Sequence, residues 1–311
     1  MRGPALVLLA ALSVLPASAQ QAFVTNQNSD DLTIVDLASL KPLATLPIGG
    51  KPAGIALARD GAFAYATSPE GKFVSVIDVA ARKIVRRIPV EGGPLGIAVA
   101  PDGARIYVAD WFSAQVVAID PVSGQASGVA QVGASPSGIA FTPDGKLFLT
   151  ADRDDNQVSI VEAASMRRIG VVKVGERPFG ITVNAAGTLA YTADVGSDTV
   201  SVVSIAAQRL VGTAKVGKRP YAVALAGGRG FATDQYADAV SVFDLETLAP
   251  VAKIEVGDYP EGIEASADGR FVYVACWFAN ELQVIDVASL KVTGKVKVGD
   301  GPRAFGTFVG K

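Results

Sequence analysis

Four aspartates, Asp110, Asp152, Asp194 and Asp234, end the same short apolar run at intervals of 42, 42 and 40 residues, and their type and recurrence suggest chemistry. Asn26, Ser68 and Cys276 hold the corresponding place elsewhere, and Asp154, Asp155, Asp198 and Asp238 follow in the adjacent polar segments. An oxygen-only donor set with no imidazole or paired thiol suits a hard cation, calcium or a lanthanide. The same aspartate also has a local task, accepting backbone N–H groups in the turn that follows it. Both readings stand at the level of sequence.

A second set surrounds a recurring proline. The residue after it is in turn Ala53, Leu95, Ser137, Phe179, Tyr221, Glu261 and Arg303, a spread that suggests a tailored ligand site. Two-residue alternation places the small residues Ala56, Ala98, Ala140, Thr182 and Ala224 on one face of the following strand, with Glu264 in their place once. A carboxylate so placed needs a cation or an arginine, and Arg177, Arg219 and Arg303 lie at neighbouring junctions. Aromatic side chains form a third set: Trp111-Phe112 and Trp277-Phe278, joined by Tyr236 and Tyr259, which suit a protein partner or a flat organic ligand.

Other chemistry is closed off by composition. The chain has no histidine, which removes the commonest general base, imidazole metal sites and histidine-ligated haem. Its single cysteine, Cys276, rules out an intrachain disulfide and has no base partner evident in sequence, so it reads as a structural thiol. With 28 basic against 30 acidic residues there is no basic excess of the kind that nucleic-acid binding requires.

The elements that must position these residues form a repeat. The prolines are Pro52, Pro94, Pro136, Pro178, Pro220, Pro260 and Pro302, 42 residues apart except for a gap of 40 after Pro220. Tyr-Val-Ala-Asp-like runs such as residues 107–110 recur in step, as does the Val-Ser-Val-Ile-Asp run of residues 74–78. Each unit reads as four short strands divided by turn residues, with no helical period. Units of this length and content predict an all-β fold, a seven-bladed β-propeller with four antiparallel strands per blade. The short unit loses its two residues in the turn of residues 226–230, where a deletion costs least. The first unit begins at its second strand, residues 23–26, and the chain ends on a lone first strand, residues 303–309, so pairing the two closes the ring and leaves no open edge.

Residues 1–19 carry Arg2, an apolar run over residues 5–15 and the triplet Ala17-Ser18-Ala19, the pattern of a cleavable secretory signal peptide. The propeller then occupies residues 20–311. No later run approaches the ~20 apolar residues of a membrane helix, so membrane insertion is not expected.

The Phe23-Val24-Thr25-Asn26 and Tyr273-Val274-Ala275-Cys276 strands, the Val-Ser-Val-Ile-Asp run and the Val-Gly-x-x-Pro-x-Gly-Ile junction resemble the YVTN family of β-propeller repeats. Length, leader and uninterrupted array are most similar to the propellers associated with PQQ-dependent alcohol catabolism, whose members accompany transport operons. The resemblance implies a periplasmic accessory protein and carries over no catalytic residue. The expectation is a monomeric, non-catalytic binding or scaffold propeller that takes a small ligand or a periplasmic protein partner beside PQQ-linked oxidation or transport. One alternative is a calcium- or lanthanide-binding propeller; another is a lyase or hydrolase using Glu261, Glu264 and the arginines.

Overall fold

Turn residues at fixed offsets divide each repeat into four strands, a to d from the centre outward, and each repeat folds into one antiparallel sheet. The structure, a computed structural model, describes residues 20–310; the expected leader lies outside them. Seven sheets stand around a central axis. Blade 3 is typical, with strands Pro94–Val99, Ile106–Asp110, Gln115–Ile119 and Ala126–Gln131. Beyond its first residue strand b is buried in every blade because neighbouring blades cover both of its faces, whereas strand d alternates between cover and solvent at the outer rim. The shortened repeat closes its a–b hairpin with Gly227 and Gly228 alone, both at positive φ, as a two-residue turn demands. Among the described residues no helix is long and apolar enough to cross a membrane.

The strands meet at a crowded hub. Two residues after the junction proline, a Cβ built on Gly138 would lie 2.8 Å from the Phe179 carbonyl oxygen of the next blade, and one on Gly180 2.7 Å from that of Tyr221. At Gly54, Gly96 and Gly262 the carbonyls of Leu95, Ser137 and Ala304 come closer still. Only blade 6, at Ala222, and the closing segment, at Ala304, carry alanine there. Hydroxyls tie the same region from blade to blade: Thr25 donates to the Ala53 carbonyl at 2.8 Å, Thr67 to Leu95 at 2.7 Å, Ser137 to Phe179 at 2.8 Å and Thr233 to Glu261 at 2.8 Å.

Ring closure follows the expected plan and adds to it. The carboxy-terminal segment serves blade 1 as its inner strand: Asn26 pairs with Pro302 and Ala22 with Val309, and the Phe23 amide donates to the Phe308 carbonyl at 2.8 Å. Its strand Phe305–Thr307 also runs parallel to the inner strand of blade 2, Gly54–Leu57. Phe308 is fully buried in a core shared by blades 1, 2 and 7.

Adding a methyl group at the hub forces blades apart in a ring that cannot open. Gly96→Ala is expected to destabilise by about 1–3 kcal/mol, read as a fall in Tm, whereas Gly103→Ala, at an exposed turn with open space around it, costs only the strain of its positive φ. A Gly96→Ala protein that melts with the native midpoint would show that the hub yields.

Candidate functional site

The b–c loops and d–a junctions share one face of the ring, here the junction face; the a–b turns and c–d turns form the hairpin face. Most of the seven residues expected to line an open mouth instead pack into a plug beneath the junction face. Phe179, Tyr221 and Phe305 meet with ring centroids 4.5, 4.9 and 5.5 Å apart, and Leu95 and Ala53 join the same core. Ser137 is buried on its inter-blade hydrogen bonds. The centre of a seven-fold ring is too narrow for seven exposed side chains, so bulky residues from some blades fill the space that small ones leave.

Glu261 and Arg303 are sunk in this plug. Arg303 Nε donates to Glu261 Oε2 at 3.0 Å and to the Tyr221 hydroxyl at 2.9 Å, and Gln235 Nε2 donates to Glu261 Oε1 at 2.9 Å. Burial pushes the Glu261 carboxyl up against the pull of the guanidinium, while Arg303, opposed by its own burial, is held protonated by Glu261 and Tyr221. Arg303 is the one expected arginine that meets a carboxylate, and that carboxylate is Glu261, not Glu264. Arg177 is exposed, and Arg219 stacks on Tyr236, its guanidinium carbon 4.5 Å from the ring centroid. Glu264 accepts from the backbone amides of Phe308 and Val309, the latter at 2.7 Å, and so clasps the closing segment. Both carboxylates proposed for a lyase or hydrolase thus have structural work.

The aspartates are not brought to a shared cation. Asp152 accepts from Thr150 at 2.6 Å, Ser159 at 2.6 Å and Gln157 at 3.2 Å, all in its own blade. Asp194 takes Thr192, Thr199 and Ser201 at 2.8, 3.0 and 2.7 Å. Asp234 accepts from Ser241 at 2.6 Å and the Gly217 amide at 3.0 Å, and Asp110 from the Gly93 amide at 2.9 Å and that of Phe112 at 3.1 Å. Among the described residues no group of three acidic or sulfur ligands converges. The local task is visible: Asp110 and Asp234 take an amide of the incoming d–a junction directly, and Asp194 holds Ser201, whose hydroxyl accepts the junction amide of Gly175 at 3.1 Å. Asp198 and Asp238, with Asp30, Asn156 and Asn280, form a second clamp: each accepts the amide before a junction proline, at 2.8–3.0 Å. Cys276 is fully buried and its thiol is pushed up to about 12, which removes it as a nucleophile.

The aromatic set lies on the junction face as expected. Phe112, Tyr236 and Phe278 are 80, 60 and 66% exposed. Tyr259 bridges Tyr236 and Phe278, with centroids 5.7 and 5.1 Å away. Trp111 and Trp277 are half-buried at the centre: Trp111 faces Phe179 at 6.1 Å and the Arg153 guanidinium at 5.7 Å, and Trp277 faces Arg303 at 5.4 Å. Rings and guanidinium groups thus run from the Trp277 side through the plug to Trp111 and Arg153. Sequence reasoning missed Phe305 and Gln235; an aromatic in the closing strand and an amide beside the aspartate of the sixth blade were the available signals.

Fold and site together define a seven-bladed propeller with a plugged hub and an aromatic junction face. The chain belongs to the YNCE-like beta-propeller family, which it matches over residues 11–100 and 195–309. No curated protein matches it. Among solved structures it is similar to a functionally unknown protein from Desulfotomaculum acetoxidans DSM 771, at 16% identity over 91% of this chain and 98% of that one, with a TM-score of 0.78. It is also similar to Kuenenia stuttgartiensis hydrazine synthase, at 19% identity over 82% of this chain and 89% of that one, with a TM-score of 0.73. At these identities the likeness is one of fold alone.

Two outcomes test this account. Burial pushes Asp194 and Asp234 up to about 6 and Asp152 in the same direction, so the native state binds protons more tightly than the unfolded chain. That stabilising contribution is complete below about pH 4 and is lost as pH rises through 6. With no histidine to titrate in the same window, Tm should fall between pH 4.5 and 7.5, and Asp194→Asn with Asp234→Asn should flatten the fall; a Tm that rises over this range contradicts it. Second, Arg303→Ala leaves Glu261 buried without its cation and should cost about 3–5 kcal/mol, much of it recovered in the Glu261→Gln, Arg303→Met double variant. Equal losses in both would mean that charge is not what the pair contributes.

Proposed function

We propose that this chain is an exported, non-catalytic binding propeller whose junction face docks a protein partner. The observation that carries the reading is the exposure of Phe112, Tyr236 and Phe278 on a face whose central tryptophans are held by the plug. A rigid scaffold bearing exposed aromatics binds with little ordering of its own, and aromatic and arginine side chains are the usual anchors of protein interfaces. Export to the periplasm is proposed from the leader pattern. Service beside PQQ-linked alcohol oxidation or an associated transport system is proposed from the repeat resemblance.

A photo-crosslinking residue at position 112 or 278 should give one discrete protein adduct in cells of the source organism. The same residue at position 85 on the outer rim should not, and Tyr236→Ala with Phe278→Ala should reduce crosslinking from position 112 at least tenfold while leaving Tm unchanged. Adducts of equal yield from rim and face would overturn the reading. Chelator-stripped protein should show no rise in Tm with calcium or lanthanum; a rise abolished by Asp194→Asn would restore the metal alternative.

A further inference from the structure

Charge is sorted by position in this chain of net charge −2. The outer strands carry lysine or arginine in every blade but the third, and Glu255 is their single carboxylate among the described residues. Cationic edges keep open strands from pairing with other chains, which accounts for a lysine on each strand. It does not account for blades 4 and 5. Their outer strands, Arg167–Lys173 and Arg209–Lys215, lie side by side on the rim and hold Arg167, Arg168, Lys173, Arg209 and Lys215, all exposed.

Elsewhere on the rim several cations are engaged. Arg86 donates to the carbonyls of Val122 and, at 2.8 Å, Pro121, and Arg87 to that of Ile48 at 2.8 Å; Lys295 and Lys297 pair with Glu281 at 3.4 and 3.3 Å. In blades 4 and 5 Lys173 meets neutral acceptors, the Asp155 carbonyl at 2.9 Å and Gln157 at 3.2 Å, and among the described residues none of the five cations forms an ion pair. Arg209 faces Ser204, at the place where every other repeat has Asp or Glu; of the five only Arg167 faces a carboxylate, Glu162. Between the cations stand Ile169, Val171, Leu210 and Val211, 37, 43, 39 and 42% exposed. Ile169 and Val211 are the extra residues of β-bulges: Val161 pairs with Arg168 and Ile160 with Gly170, Val203 with Leu210 and Val202 with Gly212. A bulge breaks the row of amides that an added strand needs, so this rim offers side chains and not a backbone edge.

We propose that the rim of blades 4 and 5 rests on an anionic lipid surface, with the ring standing edge-on, the four aliphatic side chains in the headgroup layer and the five cations on lipid phosphates. Attraction to anionic headgroups and a shallow apolar contact are the two components of binding at a bilayer surface, and neither requires a segment that spans it. Like charge opposes a second copy of this patch as the occupant. Shape and composition oppose a folded protein: the rim is convex, and its apolar members are aliphatic, without the tyrosines and tryptophans that anchor protein interfaces. A bilayer yields to a convex rim. Edge-on docking leaves the junction face free, so this site does not compete with the partner surface proposed there.

The test is co-sedimentation of the full-length mature protein with vesicles of phosphatidylglycerol and phosphatidylethanolamine in equal parts, against vesicles of phosphatidylcholine alone. At about 0.1 M salt the anionic vesicles should bind at least tenfold more strongly, and about 1 M salt should release the protein. A cation at an anionic surface contributes about fivefold, so Arg167→Gln with Arg168→Gln and Arg209→Gln should weaken binding at least thirtyfold. Ile169→Ser with Val211→Ser should weaken it at least threefold, and both variants should melt as the native protein does. Lys41→Gln with Lys83→Gln and Lys291→Gln removes the same charge from the opposite arc and should bind within threefold of native, as should Phe112→Ala with Tyr236→Ala and Phe278→Ala, which separates this site from the junction face. Equal binding to neutral and anionic vesicles, equal losses in the two charge triples, or full binding by the Ile169→Ser, Val211→Ser protein would each overturn the proposal, the last in favour of an acidic macromolecule held by charge alone.

Discussion

At the hub the backbone of one inner strand lies hard against the carbonyl oxygen of the next, and the other features of the ring depend on that contact. A propeller closes only if seven inner strands converge on one axis, and there the blades have no room for a Cβ at Gly96, Gly138 or Gly180. The junction proline just ahead fixes φ and sets the chain's entry into that contact. The hydroxyls of Thr25, Thr67, Ser137 and Thr233 then satisfy carbonyls that close packing has removed from water. Blade spacing is thereby set at the hub, and the outer strands, free at the rim, tolerate exposed valines such as Val85 and Val129.

The same crowding explains why the centre is plugged on one side only. At the junction face the residue after each proline points inward, and Phe179, Tyr221, Glu261 and Arg303 fill the axis together with Phe305. Farther along the inner strands the equivalent places hold alanine or threonine except at Glu264, which is drawn aside to the closing segment, so the channel widens towards the hairpin face. Burying Glu261 and Arg303 inside an aromatic plug carries a desolvation cost, met here by three hydrogen bonds and the charge pair itself.

The repeat made the fold legible. Proline spacing, the Asp-Gly turns and the strand runs could be aligned within the chain, and even the two-residue deletion fell where Gly227 and Gly228 form a tight hairpin. The aromatic face was also legible, since loops between second and third strands must lie on one side of the ring. Variation at Ala53 through Arg303 misled, because in a packed hub it records complementary filling as readily as ligand selection. A Glu and an Arg at equivalent places in adjacent repeats, with a Tyr in the repeat before, was the overlooked sign of an internal pair. For the four aspartates, sequence could not weigh a shared ion against separate local bonds, since ring radius decides it and radius is not written in any one repeat.

Burying an aspartate in four successive blades is a choice that packing alone does not explain. Asp152, Asp194 and Asp234 sit under enough protein to raise their titration, and a protonated carboxyl or an asparagine would sit there with less strain. What the aspartate supplies is acceptor capacity: two oxygens collect hydroxyls of strands b and c at Asp152 and Asp194, and a junction amide with a strand c hydroxyl or a loop amide at Asp234 and Asp110. Glycines 92, 133, 175 and 217 come so near these side chains that a Cβ would strike them, so loop and carboxylate form one compact corner. Four such corners hold the b–c loops of blades 3 to 6 in fixed register with their junctions. A face built to bind without ordering itself needs that rigidity, and the loops that carry Trp111, Phe112 and Tyr236 all start from one of these aspartates.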